Sequence, residues 1–446
     1  MKSKNSIINN MILFLINMIK KGERLFCCRL NQQNKIRYFT ICIQVLFFFF
    51  STVSFCQETI TGILYSDNKP VSITISEGRI TGIKRIKKLP EGSQDLYIAP
   101  GLIDNQVNGF AGVSFTFGGG ELTAKGIKKA TIELWKEGVT TYLPTLTTNS
   151  YEVLKKNFTI LGKIKDDPAL LGSIAGFHLE GPYISPLDGY RGAHPLKYVR
   201  KPDRDEFTSL NEASGNNILQ VTVAPESEGA LEFISQCTEK GIVVALGHHN
   251  ASAELITEAI DRGARVATHI GNGCANMINR HVNPLWPQLA DDRLMISIIG
   301  DGFHLLPEEI RVFYKIKGPE KTIITSDVTG FGSLPPGKYV TEEGDSIELT
   351  SAGMLRYPAQ DVLYGSASPL RKGVANVMKV TGCSLKDAIE MASTNPAELY
   401  NLNDRGSIET GKRADLILFR ITDNGMDIFR TFVNGKLVYY KFSDNK

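Results

Sequence analysis

From residue 59 to residue 83 the chain reads TITGILYSDNKPVSITISEGRITGI, where apolar and polar positions alternate between Asp-Asn, Pro and Glu-Gly turn signals. A period of two is the mark of short antiparallel strands with one buried face. Near the other end, GSIETGKRADLILFRITDNGMDIFRTFVNGKLVYY has the same texture, with a hairpin signal at Asn434-Gly435. The two ends of one chain therefore predict one small β-sandwich domain.

Between the ends the pattern changes. Eight short β-rich runs follow one another: YIAPGLIDNQVN, GVTTYLPTL, SIAGFHLE, ILQVTVAPE, IVVALGHH, VATHI, MISIIGDG and TIITSD. Amphipathic stretches at 123–137, 228–240, 253–262 and 307–315 separate several of them. Such alternation of strand and helix builds a parallel sheet. Eight strands at this length predict an α/β fold closed as a (β/α)8 TIM-like barrel rather than an open doubly wound sheet. The first strand is followed by no glycine-rich dinucleotide or phosphate loop, which points the same way. The expected organisation is a leader over 1–56, the first part of the β-sandwich over 57–100, the barrel over 101–396, and the rest of the sandwich over 397–446.

Composition adds the leader and removes a partner class. With 42% apolar and 22% charged residues among 446, the chain can bury a large core. The net charge of +3 conceals an asymmetry: residues 1–56 carry eight Lys or Arg and one Glu, so the remainder is net acidic. No basic surface is left to hold a nucleic-acid backbone, and no nucleic-acid partner is expected. Lys35 and Arg37 precede a phenylalanine-rich apolar run over 38–55, which reads as a signal peptide cleaved before Gln57. Export, in the periplasm, is the expected localisation; the alternatives at this end are an uncleaved anchor, lipidation at Cys56, a start at an internal methionine such as Met18, and a cytoplasmic location if the leader is a mis-called start. Any membrane contact would run through this leader. Past it only Cys237, Cys274 and Cys383 remain, far apart, so neither a disulfide framework nor a Cys-x-x-Cys metal site is implied.

The chemistry concentrates in the middle. All seven histidines lie between His178 and His304, most of them where a β run gives way to a loop. In a barrel the C-terminal strand ends converge on one mouth, so residues distant in sequence can meet around one substrate. Glu180 after SIAGFH, His248 after VVALG, His269 after RVAT and Asp327 after TIITS each stand at such an end. Two neutral imidazoles and a carboxylate suit zinc or a similar divalent ion and leave a fourth position open for water or a substrate oxygen. Asp327 would take a proton from that water and return it to a departing amine, which cannot leave as an anion. His178 shares a face with Glu180 and reads as support for it. His249, beside a candidate ligand, reads as a loop or supporting histidine.

At these residues the chain resembles the amidohydrolase superfamily and, within it, the N-acetylglucosamine-6-phosphate deacetylase family. The resemblance rests on APGLIDNQVNGFAGVSF, GFHLEGPY, RGAHP, LGHHNA, THIGNG, DGFH and ITSDVTG, in the family's order and at similar spacing. It implies a metal-bearing barrel with a small sandwich from both chain ends, commonly dimeric. It also implies ligands at Glu180, His248 and His269 and the acid/base at Asp327. Many superfamily members carry His-x-His after the first strand and bind two metals; Gln106-Val107-Asn108 stands there instead, so one divalent ion per subunit is expected, zinc first and iron or another divalent ion otherwise. For substrate binding the resemblance implicates Ala193, His194, Asn272, Gly273, Arg280, Asp301, His304, Leu363, Tyr364 and Gly365. Arg280, with its planar fork of donors, would clamp a phosphate.

The implied reaction takes N-acetyl-D-glucosamine 6-phosphate and water to D-glucosamine 6-phosphate and acetate. The loop GNGCANMINRHVNPLWPQLADD after His269 departs from the Asn-Ala-Met followed by proline and glycine usual in this family, and an unphosphorylated amino sugar is the alternative substrate. Trp286 in that loop would either cap a sugar face or pack inside. Two competing readings are another amide hydrolase of the superfamily and, in a different class, a catalytically silent exported sugar-binding barrel. Gln106 and Asn108 weigh against the two-metal members of the first, and retention of Asp327 with all three ligands weighs against the second.

Overall fold

The computed structural model describes residues 57–91, 95–116, 122–341, 344–359, 362–423 and 425–441. The expected leader lies outside the described residues. Eight parallel strands form one sheet: β1 (Leu102–Val107), β2 (Val139–Thr147), β3 (Phe177–Glu180), β4 (Ile218–Val223), β5 (Val243–Leu246), β6 (Val266–Ala267), β7 (Met295–Ile299) and β8 (Thr322–Thr325). Each pairs with the next in sequence. The sheet closes on itself through a parallel bridge between Val107 and Val328, where the amide of Asn108 donates to the Val328 carbonyl at 2.7 Å. The expected TIM-like barrel is thus the fold.

A helix follows every strand. Sequence reading places the first at 123–137, and the helix is Ala124–Lys136, started by the Thr123 hydroxyl accepting from the Gly126 amide at 3.0 Å. Ser150, Asp203 and Ser252 cap the helices Tyr151–Ile164, Arg204–Ala213 and Ala253–Asp261 in the same way. A side-chain oxygen there satisfies an amide that the helix cannot. The helices turn aliphatic and aromatic faces onto the barrel, as where Phe158 meets Phe177 of β3 with ring centroids 6.0 Å apart. Burial on both faces explains why the strands read as near-continuous apolar runs.

Strands from both chain ends join in a second sheet of seven strands. Glu58–Leu64, Pro70–Ser76, Arg79–Arg85 and Tyr97–Pro100 come from the start, and Leu416–Thr422, Gly425–Val433 and Lys436–Tyr440 from the end. The two sets meet where Tyr97–Pro100 pairs antiparallel with Leu416–Thr422. Asn434 and Gly435 turn the last hairpin with φ of 48° and 71°, the left-handed pair that such a turn requires. Among the described residues no helix is long and apolar enough to cross a membrane, and Cys237, Cys274 and Cys383 are all free.

One element is not foreseen by the sequence reading. After β8 the chain forms a four-stranded antiparallel flap of Gly337–Val340, Ser346–Leu349, Leu355–Tyr357 and Val362–Leu363. Ile347, Leu349, Leu355 and Tyr357 give it a small core of its own, against which Phe331, Leu334 and Tyr364 pack.

Candidate active site

Glu180 is the last residue of β3, while His248, His269 and Asp327 each follow the last residue of β5, β6 and β8 by two positions. Those last three share an uncommon backbone, with φ of 54°, 27° and 50°. Left-handed conformations are costly for residues with a Cβ and persist where surrounding structure enforces them, often at functional sites. The sharp turn at each strand end directs these side chains to the mouth of the barrel.

There Glu180, His248 and His269 are buried, and one donor atom from each lies within 4.8 Å of the others. His269 Nε2 is 3.0 Å from Glu180 Oε1, His248 Nε2 is 3.5 Å from the same oxygen, and the two imidazole nitrogens are 3.2 Å apart. His248 Nδ1 lies 2.9 Å from the Tyr190 carbonyl, which can only accept. That bond puts the proton on Nδ1 and presents the Nε2 lone pair to its neighbours. Two imidazole nitrogens and a carboxylate oxygen converging on one point are a donor set that fits a divalent cation. The packing around His248 is close: a Cβ on Gly273 would come within 2.8 Å of its Nδ1, and Gly273 has φ of 62°. Only glycine meets both conditions.

The carboxylates are held by an amide. Gln106 Nε2 donates to Glu180 Oε1 and to Asp327 Oδ1, each at 2.8 Å, and Asn108 Nδ2 donates to Asp327 Oδ1 at 2.8 Å. Since ionised carboxylates only accept, these bonds fix the orientation of both amides. Gln106 therefore joins two buried carboxylates by a neutral bridge.

Electrostatics set the two acids apart. Burial would raise the Glu180 carboxyl, but the imidazoles of His248 and His269 that face it outweigh this and hold the group well below the usual carboxylate range. Burial and the Glu180 charge instead push Asp327 up to about 6, against the imidazoles of His269 and His304 and the Asn108 bond. Neighbouring carboxylates driven apart in this way mark an ionised ligand beside a group that can exchange a proton.

Around this centre lies a cavity of about 580 Å³. Of the residues named for substrate binding, Ala193, His194, Asn272, Gly273, His304, Leu363, Tyr364 and Gly365 line it. His194 has its Nδ1 2.8 Å from Thr148 Oγ1, and burial followed by the nearby His248 lowers it to about 3, so the ring is neutral. His304 Nδ1 lies 2.9 Å from Asp301 Oδ2. Burial would raise Asp301, yet the His304 bond and two backbone amides hold it down.

Two expected substrate residues stand elsewhere. Asp301 is not in the lining; its carboxylate holds His304 and so acts through that ring. Arg280 is exposed and outside the lining, and its carbonyl accepts from Trp286 Nε1 at 3.1 Å. Trp286 is 51% exposed and also outside the lining, so it neither packs inside nor caps a ligand in this cavity. His178 lies beneath Glu180 and bonds Thr222 and Gln220 at 2.8 and 3.0 Å, which makes it a support. Neutral imidazole suits that place, as burial lowers His178 to about 4. His249 is buried outside the cavity, with its Nδ1 accepting from the Ala251 amide at 3.3 Å.

Sequence reasoning missed the wall built by the flap and the segment before it, where Phe331, Leu334, Val340 and Val362 reach the cavity. A signal for it existed in the alternating text KYVTEEGDSIEL with its Glu-Gly turn.

Comparison with known proteins agrees with this geometry. The model of the amidohydrolase family matches residues 97–438. N-acetylglucosamine-6-phosphate deacetylase of Danio rerio is 30% identical over 355 residues, covering 77% of this chain and 85% of that one. The Bos taurus enzyme of the same name is 32% identical over 353 residues, covering 77% and 83%. A solved N-acetyl-D-glucosamine-6-phosphate deacetylase from Mycobacterium smegmatis, a mutant in complex with N-acetyl-D-glucosamine-6-phosphate, superposes with a TM-score of 0.76 at 26% identity, covering 86% of this chain and 99% of that one. With the family model matched over residues 97–438 and relatives 30–32% identical over most of their length, the chain belongs to the amidohydrolase family and, within it, to the N-acetylglucosamine-6-phosphate deacetylases.

Proposed function

We propose that this chain hydrolyses the N-acetyl amide of an amino sugar, taking N-acetyl-D-glucosamine 6-phosphate and water to D-glucosamine 6-phosphate and acetate. The observation that carries the reading is the convergence of Glu180, His248 and His269 beside an Asp327 whose Oδ1 is held by Gln106 and Asn108. One divalent ion per chain belongs there, zinc being the first choice for a mixed imidazole and carboxylate set. When bound, it supplies a Lewis acid that polarises the acetyl carbonyl and makes water a stronger acid.

The chain's own residues do the rest. Because Gln106 and Asn108 both donate to Asp327 Oδ1, Oδ2 is the oxygen left to take the proton of the attacking water. The same oxygen then protonates the departing nitrogen, so that an amine leaves instead of an amide anion. His194 and His304, each with Nδ1 engaged, offer Nε2 to the acetyl group or the sugar hydroxyls. A binding protein without chemistry would have no need of a carboxylate raised toward 6 and fixed by two amide donors.

Turnover in ¹⁸O-labelled water tests the bond that breaks. One label in the acetate and none in the sugar is expected, since water attacks the acyl carbon. Label in the sugar above that which the anomeric oxygen takes up from water in an enzyme-free control, or release of any product other than acetate and the free amine, would contradict amide hydrolysis.

A further inference from the structure

We propose that Glu226 is a positioning residue for His248: by holding the amide of Asn250 it fixes the turn that aims the imidazole at the metal. The inference rests on reading Glu180, His248 and His269 as one metal site and adds to it a residue outside the ligand set.

His248 has a left-handed backbone, with φ of 54°. A residue with a Cβ stays in that region where its surroundings over-determine the conformation. Contacts from two sides do so here. From the loop after β3, the Ser185 amide donates to the His248 carbonyl at 2.9 Å, and the Tyr190 carbonyl lies 2.9 Å from His248 Nδ1. The other contact comes from β4, the strand that lies between β3 and β5 in the sheet. Glu226 follows the last residue of β4 by three positions, and its Oε1 accepts from the Asn250 amide at 2.7 Å. The turn is thus clamped at its carbonyl, at the ring, and two residues downstream.

Stability alone does not account for a carboxylate in this place. Glu226 is half-buried, its Oε2 is buried without a hydrogen-bond partner, and burial raises its carboxyl against the pull of the Asn250 amide. Enclosing a carboxylate oxygen unpaired costs free energy. What the residue does supply is the one short bond, to a backbone amide that water would otherwise take, since Asn250 is exposed. Without that bond the turn loses its hold on the β4 side. His248 Nε2, 3.2 Å from His269 Nε2 and 3.5 Å from Glu180 Oε1, is then free to leave the converging geometry. Groups that orient a metal ligand from behind are worth ~10–100-fold in metal affinity.

Zinc affinity of the full chain, measured by competition with a chelating dye, tests the role without reference to turnover. The visible spectrum of the cobalt(II)-loaded chain reports ligand geometry, which a merely structural residue would leave unchanged. Glu226→Ala is expected to weaken zinc binding by ~10–100-fold and to alter the cobalt bands. Glu226→Asp keeps the charge but is too short to reach the amide; it should behave in the same way, and it decides the matter if the alanine variant does not fold. Glu226→Gln, whose side-chain carbonyl can still accept from Asn250, should recover most of the affinity and the native spectrum. Native zinc affinity in a folded alanine or aspartate variant overturns the proposal. A glutamine variant as weak as the aspartate one also overturns it, because neither charge nor size alone would then explain the loss through this bond. If the unaltered chain binds no zinc, the metal site itself fails, whereas tight zinc binding by every variant defeats only the role of Glu226.

Discussion

Asp327→Asn is expected to keep its metal and lose turnover by ~10²–10⁴-fold, the usual worth of a positioned acid/base. The substitution is nearly isosteric, and the asparagine carbonyl can still accept from Gln106 and Asn108, which donate to Oδ1 in the native chain at 2.8 Å. What changes is the other atom: an NH2 group replaces Oδ2 and cannot take a proton. Metal content and acetate release measured on the same preparation separate the possibilities. Metal lost in step with activity would mean that Asp327 is chiefly a ligand and that the proton shuttle lies elsewhere.

His269→Ala is expected to lose both metal and activity, and to be less stable as well. Its imidazole lies 3.0 Å from Glu180 Oε1 and is raised in basicity by that carboxylate in spite of burial. Without it, Glu180 keeps a hydrogen bond from Gln106 and the more distant His248, but the buried charge is under-compensated. Removing one partner of a buried ion pair costs on the order of 3 kcal/mol. Urea unfolding should show a lower midpoint with an unchanged slope, and metal analysis should find the variant close to empty. Native metal content in this variant would remove His269 from the ligand set.

The sequence carries much of this because barrels translate position into proximity. Glu180, His248, His269 and Asp327 are far apart in the chain, yet each follows an apolar run, and such runs end at one mouth. The strands themselves are visible as runs because helices cover their outer faces. Three features were beyond that kind of reading. The left-handed backbone at His248, His269 and Asp327 is imposed by tertiary context and leaves no trace in hydrophobic period. Gln106 reads as a residue that fails to bind a second metal, and only coordinates show one amide joining two carboxylates. Arg280 has the right chemistry for a phosphate clamp, but the direction of a loop side chain depends on local turns rather than on periodicity, and in this loop Arg280 is exposed with its carbonyl bonded by the Trp286 ring.

The flap is a case of a signal present but weak. Its alternation is short and broken by turns, and its apolar residues form a satellite core separate from that of the barrel. Nonetheless it supplies part of the cavity wall, through Val340, Val362 and Leu363. The catalytic floor and the substrate wall thus come from different layers of the sequence, the first from strand ends and the second from an inserted sheet.

Metal-dependent acetate release tests the central claim most directly: strip the purified chain with a chelator, titrate a divalent ion back, and follow acetate from N-acetyl-D-glucosamine 6-phosphate. Activity should vanish on stripping and return linearly to a plateau at one ion per chain, in keeping with one set of ligands at Glu180, His248 and His269. Full acetate release from metal-free protein, or a plateau reached only at two ions per chain, would contradict it.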